Sequence, residues 1–284
     1  MSGPAISVRD LRKSYGGIEA LRGVTFDVGA GEVFGLLGPN GAGKTTTVEI
    51  LEGYRRRDGG DASVLGHDPG DAPRAFRERI GVVLQHSEHP ALLTVREVLL
   101  MFAGYYERSR EVGEVIELIG LADKQNSRVR TLSGGQKRRL DLGAALVGDP
   151  DLVFLDEPTT GFDPAARRSA WEMIRALRSL GKTIVLTTHY LDEAQQLADR
   201  VAVIRAGEIV ALGTPADLIG ETRRTEIRHR RNGELVVLET EEPTRLLHEL
   251  TSEALATGRE LEHLEVRRPT LEDVYLELVE EPDE

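Results

Sequence analysis

Two stretches of this chain bring together residue types that suit phosphate chemistry. The first is "GPNGAGKTT", Gly38 to Thr46, which follows an apolar run and precedes a helical pattern. Its glycines (Gly38, Gly41 and Gly43, with Pro39, Asn40 and Ala42 between them) let backbone N–H groups curl around an anion with no Cβ in the way. Lys44 adds a point charge, the Thr45 hydroxyl is a ligand for Mg2+, and Thr46 completes the candidate phosphate-binding set. The second stretch is "LVFLDEP", Leu152 to Pro158. Four apolar residues end in Asp156, placed to hold the Mg2+ shell, and Glu157 comes next. That pair suits hydrolysis, with Glu157 as the base that polarises a water attacking a γ-phosphate.

Other polar residues stand at the ends of apolar runs. Gln85 closes "IGVVL", where a neutral amide reaches both Mg2+ and an attacking water. His189 follows "TIVLTT", where it can hold the γ-phosphate and orient the base. A strand-end Gln or His taken singly is more often a capped or solvated polar group. Grouped at the carboxyl ends of parallel strands, they fall where such sheets bind ligands. A second phosphate-facing helix start is written in "LSGGQKRRL". There Ser133 is a cap, and Gly134, Gly135 and Gln136 follow it. Spacing alone permits contact with a phosphate of the same chain or of another.

These residues need a sheet to position them. "ISVRDLRKSY" and "IEALRGVTFDV" read as strands, followed by "VFGLL", a helix from Lys44 towards Glu52, and strands at "ASVLG" and "RIGVVLQ" around a charged helical turn. From Leu92 to Val147 the pattern is helical, with Thr94 and Glu97 forming a capping box. "DLVFLD" and "TIVLTT" flank the helical "AARRSAWEMIRALRSL", an order that predicts a parallel sheet covered on both faces. "RVAVIRAGEIVALG" reads as a hairpin. Beyond about Glu221 the chain becomes densely charged, and a small α/β appendage is expected over 221–284. It comprises a hairpin turning at Asn232-Gly233, a helix, a strand and a last helix whose Leu271, Val274, Tyr275 and Leu278 share a stripe. The fold expected is α/β, with the phosphate-binding core over 1–220.

The bulk composition narrows the function. The 284 residues carry a net charge of −12, which gives a nucleic-acid partner no electrostatic support. There is no cysteine, which excludes disulfides and thiolate chemistry and fits a reducing cytoplasm. No apolar run approaches the ~20 residues needed to span a bilayer. "LLTVREVLLMFAGYY" is broken by Arg96 and Glu97, and the first residues lack the apolar core of a signal peptide. A membrane connection is therefore expected through a partner. His86 and His89 are read as surface polarity, since they have no companion ligands.

The ordered set of phosphate loop, Gln85, "LSGGQ", "LVFLDEP", "TTGFDP" and His189 resembles the ATP-binding cassette (ABC) ATPases of ABC transporters, over about residues 6 to 215. The resemblance implies a P-loop NTPase core with an antiparallel β subdomain and a helical signature subdomain at about 88–148. It implies ATP and Mg2+ as cofactors and a dimer of two copies stacked head to tail. Ser133, Gly134, Gly135 and Gln136 would then cap the nucleotide held by the partner copy. It also implies that Tyr15 stacks on adenine, that Asp163 reaches across the dimer, and that the helical insert touches a separate membrane permease. Phe162 stands where many relatives have Leu.

The ending "LEVRRPTLEDVYLELVEE" looks like the tail of the ATPase subunits of daunorubicin-resistance type drug exporters. That implies a peripheral protein on the cytoplasmic face of the membrane, powering export of a small lipophilic molecule. The alternative is a soluble cassette ATPase of translation or DNA maintenance. Those relatives usually join two cassettes or insert a long coiled coil, and neither pattern occurs in this sequence. A regulatory subunit that no longer hydrolyses is opposed by the presence of Glu157, Gln85 and His189.

Overall fold

The structure is a computed structural model that describes residues 3–84, 87–221, 225–231, 234–258, 260–267 and 270–280. The chain divides into two compact units, Met1–Leu212 and Gly213–Glu284.

The first unit opens with β1 (Ile6–Tyr15), β2 (Ile18–Val28), β3 (Val33–Leu37), α1 (Lys44–Leu51), β4 (Gly59–Val64), α2 (Arg74–Arg77) and β5 (Ile80–Val83). The helical stretch that follows holds α3 (Val95–Ala103), α4 (Val112–Leu118) and α5 (Gly134–Leu146). The α/β pattern then resumes with β6 (Leu152–Asp156), α6 (Pro164–Ser179), β7 (Thr183–Thr188), α7 (Leu191–Leu197), β8 (Arg200–Arg205) and β9 (Glu208–Gly213). The sequence pattern does not announce α7, because it is short and four of its seven residues are charged or amide.

Six strands form one sheet in the order β5-β6-β7-β3-β8-β9, with β5, β6, β7, β3 and β8 joined by parallel pairs. Every residue of β3 and β7 is buried, as unbroken apolar runs in a sheet covered on both faces require. The side-chain period of two divides these strands between two cores. Val33, Leu155 and Leu186 point into a cluster with Leu99, Ile116, Leu140 and Leu177 from α3, α4, α5 and α6. Their chain neighbours Phe34, Phe154 and Val185 point the other way, into a cluster with Ile6, Val24 and Leu51. That second core is roofed by α1 and the antiparallel sheet β2-β1-β4, whose Phe26 stacks on Phe34 at 5.0 Å.

The capping box expected at α3 is present. The Thr94 hydroxyl accepts from the Glu97 N–H, and the Glu97 carboxylate accepts from the Thr94 N–H at 2.8 Å.

The second unit contains α8 (Pro215–Glu221), β10 (Thr225–Arg231), β11 (Glu234–Thr240), α9 (Pro243–Ala256), β12 (Glu262–Arg267) and α10 (Leu271–Glu280). Its antiparallel sheet has the order β11-β10-β12, with Arg231 paired to Glu234. The turn residues Asn232 and Gly233 lie outside the described residues. Leu271 and Val274 of α10 are buried, and Tyr275 and Leu278 are half-buried. The unit begins at Gly213, ahead of the boundary read from charge density, and so takes in α8.

Candidate active site

Sheet order fixes the site. β6, β7 and β3 are neighbours, and their carboxyl ends are level: Asp156 is paired with Thr187, and Thr188 with Leu37. The loop after β3, the carboxylates after β6 and the histidine after β7 therefore emerge side by side. They line a cavity of about 700 Å3 that includes Asn40, Gly41, Gly43, Lys44, Thr45, Thr46, Glu157, Thr160 and His189.

The loop has the shape of an anion cradle. Gly43 sits at φ 111°, and a Cβ there would lie 2.7 Å from Leu21 Cδ2 and 2.9 Å from the Ala20 carbonyl, so only glycine fits. Gly41 is also left-handed but meets nothing, so its backbone is bare towards the cavity. A Cβ at Gly38 would collide with the Ile204 carbonyl. Lys44 is buried, and its ammonium donates to the Gly38 and Pro39 carbonyls at 2.7 and 3.1 Å, which holds the charge inside the loop. Burial lowers its pKa, and the charges of Glu157 and Asp156 oppose that shift. A buried ammonium ringed by main-chain groups, with exposed Thr45 beside it, is a donor set that fits a phosphate chain and a hard cation.

The two carboxylates are held differently. Thr187 Oγ1 donates to Asp156 Oδ1 at 2.5 Å and accepts from the Glu157 N–H at 3.1 Å, so one hydroxyl orders both residues. Glu157 itself has φ 45°, a left-handed conformation that costs a non-glycine residue ~1–3 kcal/mol. Its side chain reaches groups on the loops that follow β6 and β7. Its Oε2 accepts from Thr160 Oγ1 at 3.0 Å, and its Oε1 lies 3.3 Å from His189 Nδ1. A water in the cavity could give its proton to this carboxylate.

Other residues singled out in the sequence stand apart from this cavity. Ser133 caps α5: its Oγ accepts from the Gln136 N–H at 3.3 Å, and Gln136 Oε1 accepts from the Ser133 N–H at 2.9 Å. Ser133 and Gly134 are exposed, so the α5 N-terminus is open to an outside ligand. Asp163 caps α6, accepting from Ala165 and Ala166 at 2.9 and 2.8 Å. Tyr15 is exposed, with Lys13 and Arg55 over its ring at 5.5 and 5.2 Å. Gln85 and His86 lie outside the described residues.

Some of the contacts were not read from the sequence. His89 is not surface polarity: its side chain is 7% exposed, and Nε2 is 2.7 Å from Asp141 Oδ1 on α5. Apolar packing draws it in, with its ring edge-on to Phe102. Glu193 is fully buried on α7, which raises its pKa; its Oε1 accepts from Thr159 and from the Trp171 indole at 2.9 and 3.2 Å. It thus ties α7 to the loop after β6 and to α6. Arg138 reaches the β6 end from α5. The positions of Thr187, Glu193 and Arg138 in "TTHYLDEAQQ" and "GGQKRRL" mark them as near the site, but nothing in the sequence says which way they point.

Comparison with known proteins gives a consistent picture. A family model described as ABC transporter matches residues 21–160. The Nod factor export ATP-binding protein I of Rhizobium sp. (strain N33) is 41% identical over 307 aligned positions, covering 98% of each chain. The daunorubicin/doxorubicin resistance ATP-binding protein DrrA of Streptomyces peucetius is 48% identical over 219 residues, which span 75% of this chain and 66% of that protein. Among solved structures, an ATP-binding subunit of an ABC transporter superposes with a TM-score of 0.69 at 29% identity, over 77% of this chain and 93% of that one. An ATP-binding cassette solved as a dimer in a post-hydrolysis state, bound to ADP and Pi, shares the fold with a TM-score of 0.65 at 24% identity. That match covers 74% of this chain and 98% of the other.

Proposed function

The chain belongs to the ATP-binding subunits of ABC transporters, and from that premise we propose that two copies close around ATP to power export through a separate membrane subunit. It is an ATPase. The observation that carries the mechanism is the alignment of Glu157, His189 and the Lys44 loop around one cavity. Thr45 and Asp156, with Gln85, would hold Mg2+, which supplies charge neutralisation at the phosphates. Lys44 and the loop amides bind the phosphate chain, and Tyr15 stacks on the adenine. Glu157 takes the proton of the attacking water, and His189 orients Glu157 and the γ-phosphate.

The exposed α5 N-terminus, carrying roughly half a positive charge, supports the trans arrangement. Ser133, Gly134, Gly135 and Gln136 meet the γ-phosphate of the partner copy's nucleotide, and Asp163 lies at the same interface. ATP closes the dimer and hydrolysis reopens it. Among the described residues no helix is long and apolar enough to cross a membrane, so the route for cargo is assigned to the permease. The cargo proposed is small and lipophilic, drug- or antibiotic-like, a reading supported by relatives named for daunorubicin resistance. Residues 221–284 are assigned to an accessory domain, and the site of action to the cytoplasmic face of the membrane. The soluble translation or DNA-maintenance reading is not favoured by relatives named as export proteins.

The test is capture of tagged Glu157→Gln protein, with Mg-ATP, from detergent-solubilised membranes of its host. A polytopic membrane protein in equal amount is expected. A ribosomal or nucleic-acid partner with no membrane protein contradicts the exporter reading.

A further inference from the structure

We propose that Arg138 is a positioning residue that ties the helix serving one nucleotide to the strand end that hydrolyses the other. The proposal rests on the reading given above, in which the α5 N-terminus serves the partner copy.

Ser133 opens α5, and Arg138 lies little more than one turn further along the same helix. Its side chain is only 13% exposed and turns towards its own chain's β6 end. Nη2 donates to the Asp156 carbonyl at 2.9 Å and, more weakly, to that of Glu157 at 3.5 Å. Nε donates to the Pro158 carbonyl at 3.2 Å, and Nη1 donates to the carbonyl of Leu84, the residue before Gln85. One planar fan of donors thus gathers two separate segments of the site.

The turn it holds needs support. Glu157 is left-handed, and its N–H is fixed by Thr187 on the β7 side. Arg138 fixes the carbonyl side of the same turn, so the Glu157 carboxylate is aimed by two anchors on different elements. Arg138 is braced in turn: Asp141 Oδ2 lies 3.7 Å from Nη1, and Asp141 Oδ1 meets His89 Nε2 at 2.7 Å. His89 belongs to the segment between β5 and α3, so the network continues from the hydrolytic turn to the residues just beyond Gln85. A shift of α5 on meeting a phosphate at its N-terminus is carried by this contiguous network to Glu157 of its own chain.

The experiment compares ATP hydrolysis by the parent, Glu157→Gln, Arg138→Gln and Arg138→Lys in the full chain, with melting temperature measured on each. A hydrolysing parent and an inert Glu157→Gln uphold the proposed function. Arg138→Gln is then expected to lose about tenfold or more in kcat, with KM for ATP within about twofold of the parent, because a misaimed base slows chemistry without changing binding. Arg138→Lys keeps the charge but cannot span the four carbonyls, and is expected to fall between the two. If Arg138→Gln fails to fold, Arg138→Lys decides: a loss of about threefold or more in kcat at unchanged KM supports the role. Parent-like kcat in the folded variants, or a rise in KM alone, overturns it and leaves the function intact. A parent that does not hydrolyse ATP removes the function and the positioning role together.

Discussion

His189 Nδ1 lies 3.3 Å from Glu157 Oε1, while the other carboxylate oxygen accepts from Thr160 at 3.0 Å. The two contacts come from different loops and hold one side chain at the mouth of the phosphate cradle. Removing the imidazole leaves Glu157 with a freer carboxylate beside an unchanged cradle. His189→Ala is therefore expected to lower kcat by up to about 10²-fold, with nucleotide affinity little changed. Steady-state phosphate release together with binding of a fluorescent ATP analogue reads both quantities, and an equal loss of affinity would place His189 in binding instead.

Lys44 is buried against the carbonyls of Gly38 and Pro39 and carries the cradle's fixed charge. Charge-assisted hydrogen bonds are worth ~1.5–3 kcal/mol, so Lys44→Ala is expected to weaken ATP binding by about 10- to 100-fold. Isothermal titration with Mg-ATP measures it directly.

Gly135 is not required by the fold, since a Cβ there meets only Ala166 Cβ at 3.8 Å. Gly135→Asp should keep the parent's melting temperature and its own nucleotide binding. If α5 meets a phosphate held by the partner copy, as proposed, the added carboxylate repels it, and ATP-dependent dimerisation, read by sedimentation, should be lost. Dimerisation at parental strength would remove the trans assignment of α5.

Glu52, at the end of α1, is pushed up to about 8, chiefly by burial and then by the charges of Asp156 and Glu49. The folded chain therefore keeps a proton that the unfolded chain releases near the ordinary value of 4.5. Stability of the nucleotide-free protein falls as pH rises from about 4.5 to about 8, by up to about 1.4 kcal/mol per unit. Glu52→Gln should flatten that slope and melt higher than the parent at pH 8. An unchanged slope in denaturant titrations would contradict the assignment.

Much of this arrangement was legible in the sequence, for reasons that can be named. Apolar runs such as "VFGLL" and "TIVLTT" became strands with those ends because burial on both faces tolerates no interruption. The capping box at Thr94 formed, and Ser133 caps α5, because a hydroxyl and the groups of the first turn meet locally; that Gln136 closes a second box on Ser133 was not read. What could not be read was direction over distance. Arg138 and Arg139 are alike in sequence, yet Arg138 alone reaches the Asp156 carbonyl. His89 looked solvated because its partner Asp141 is far along the chain and joins it only when α5 packs. The left-handed Glu157 was equally hidden, since the Thr187 hydroxyl that meets its N–H stands on a neighbouring strand.

The measurement that bears most directly on the account is Mg-ATP hydrolysis by the parent and by Glu157→Gln, with particle size followed on the same samples. The amide keeps the shape of the side chain but cannot take a proton, so turnover should fall by about 10²- to 10⁴-fold. ATP should still bind, and the variant should accumulate as a closed dimer. Near-parental turnover in Glu157→Gln, with no dimer formed on ATP, would contradict both the base and the closure that ATP drives.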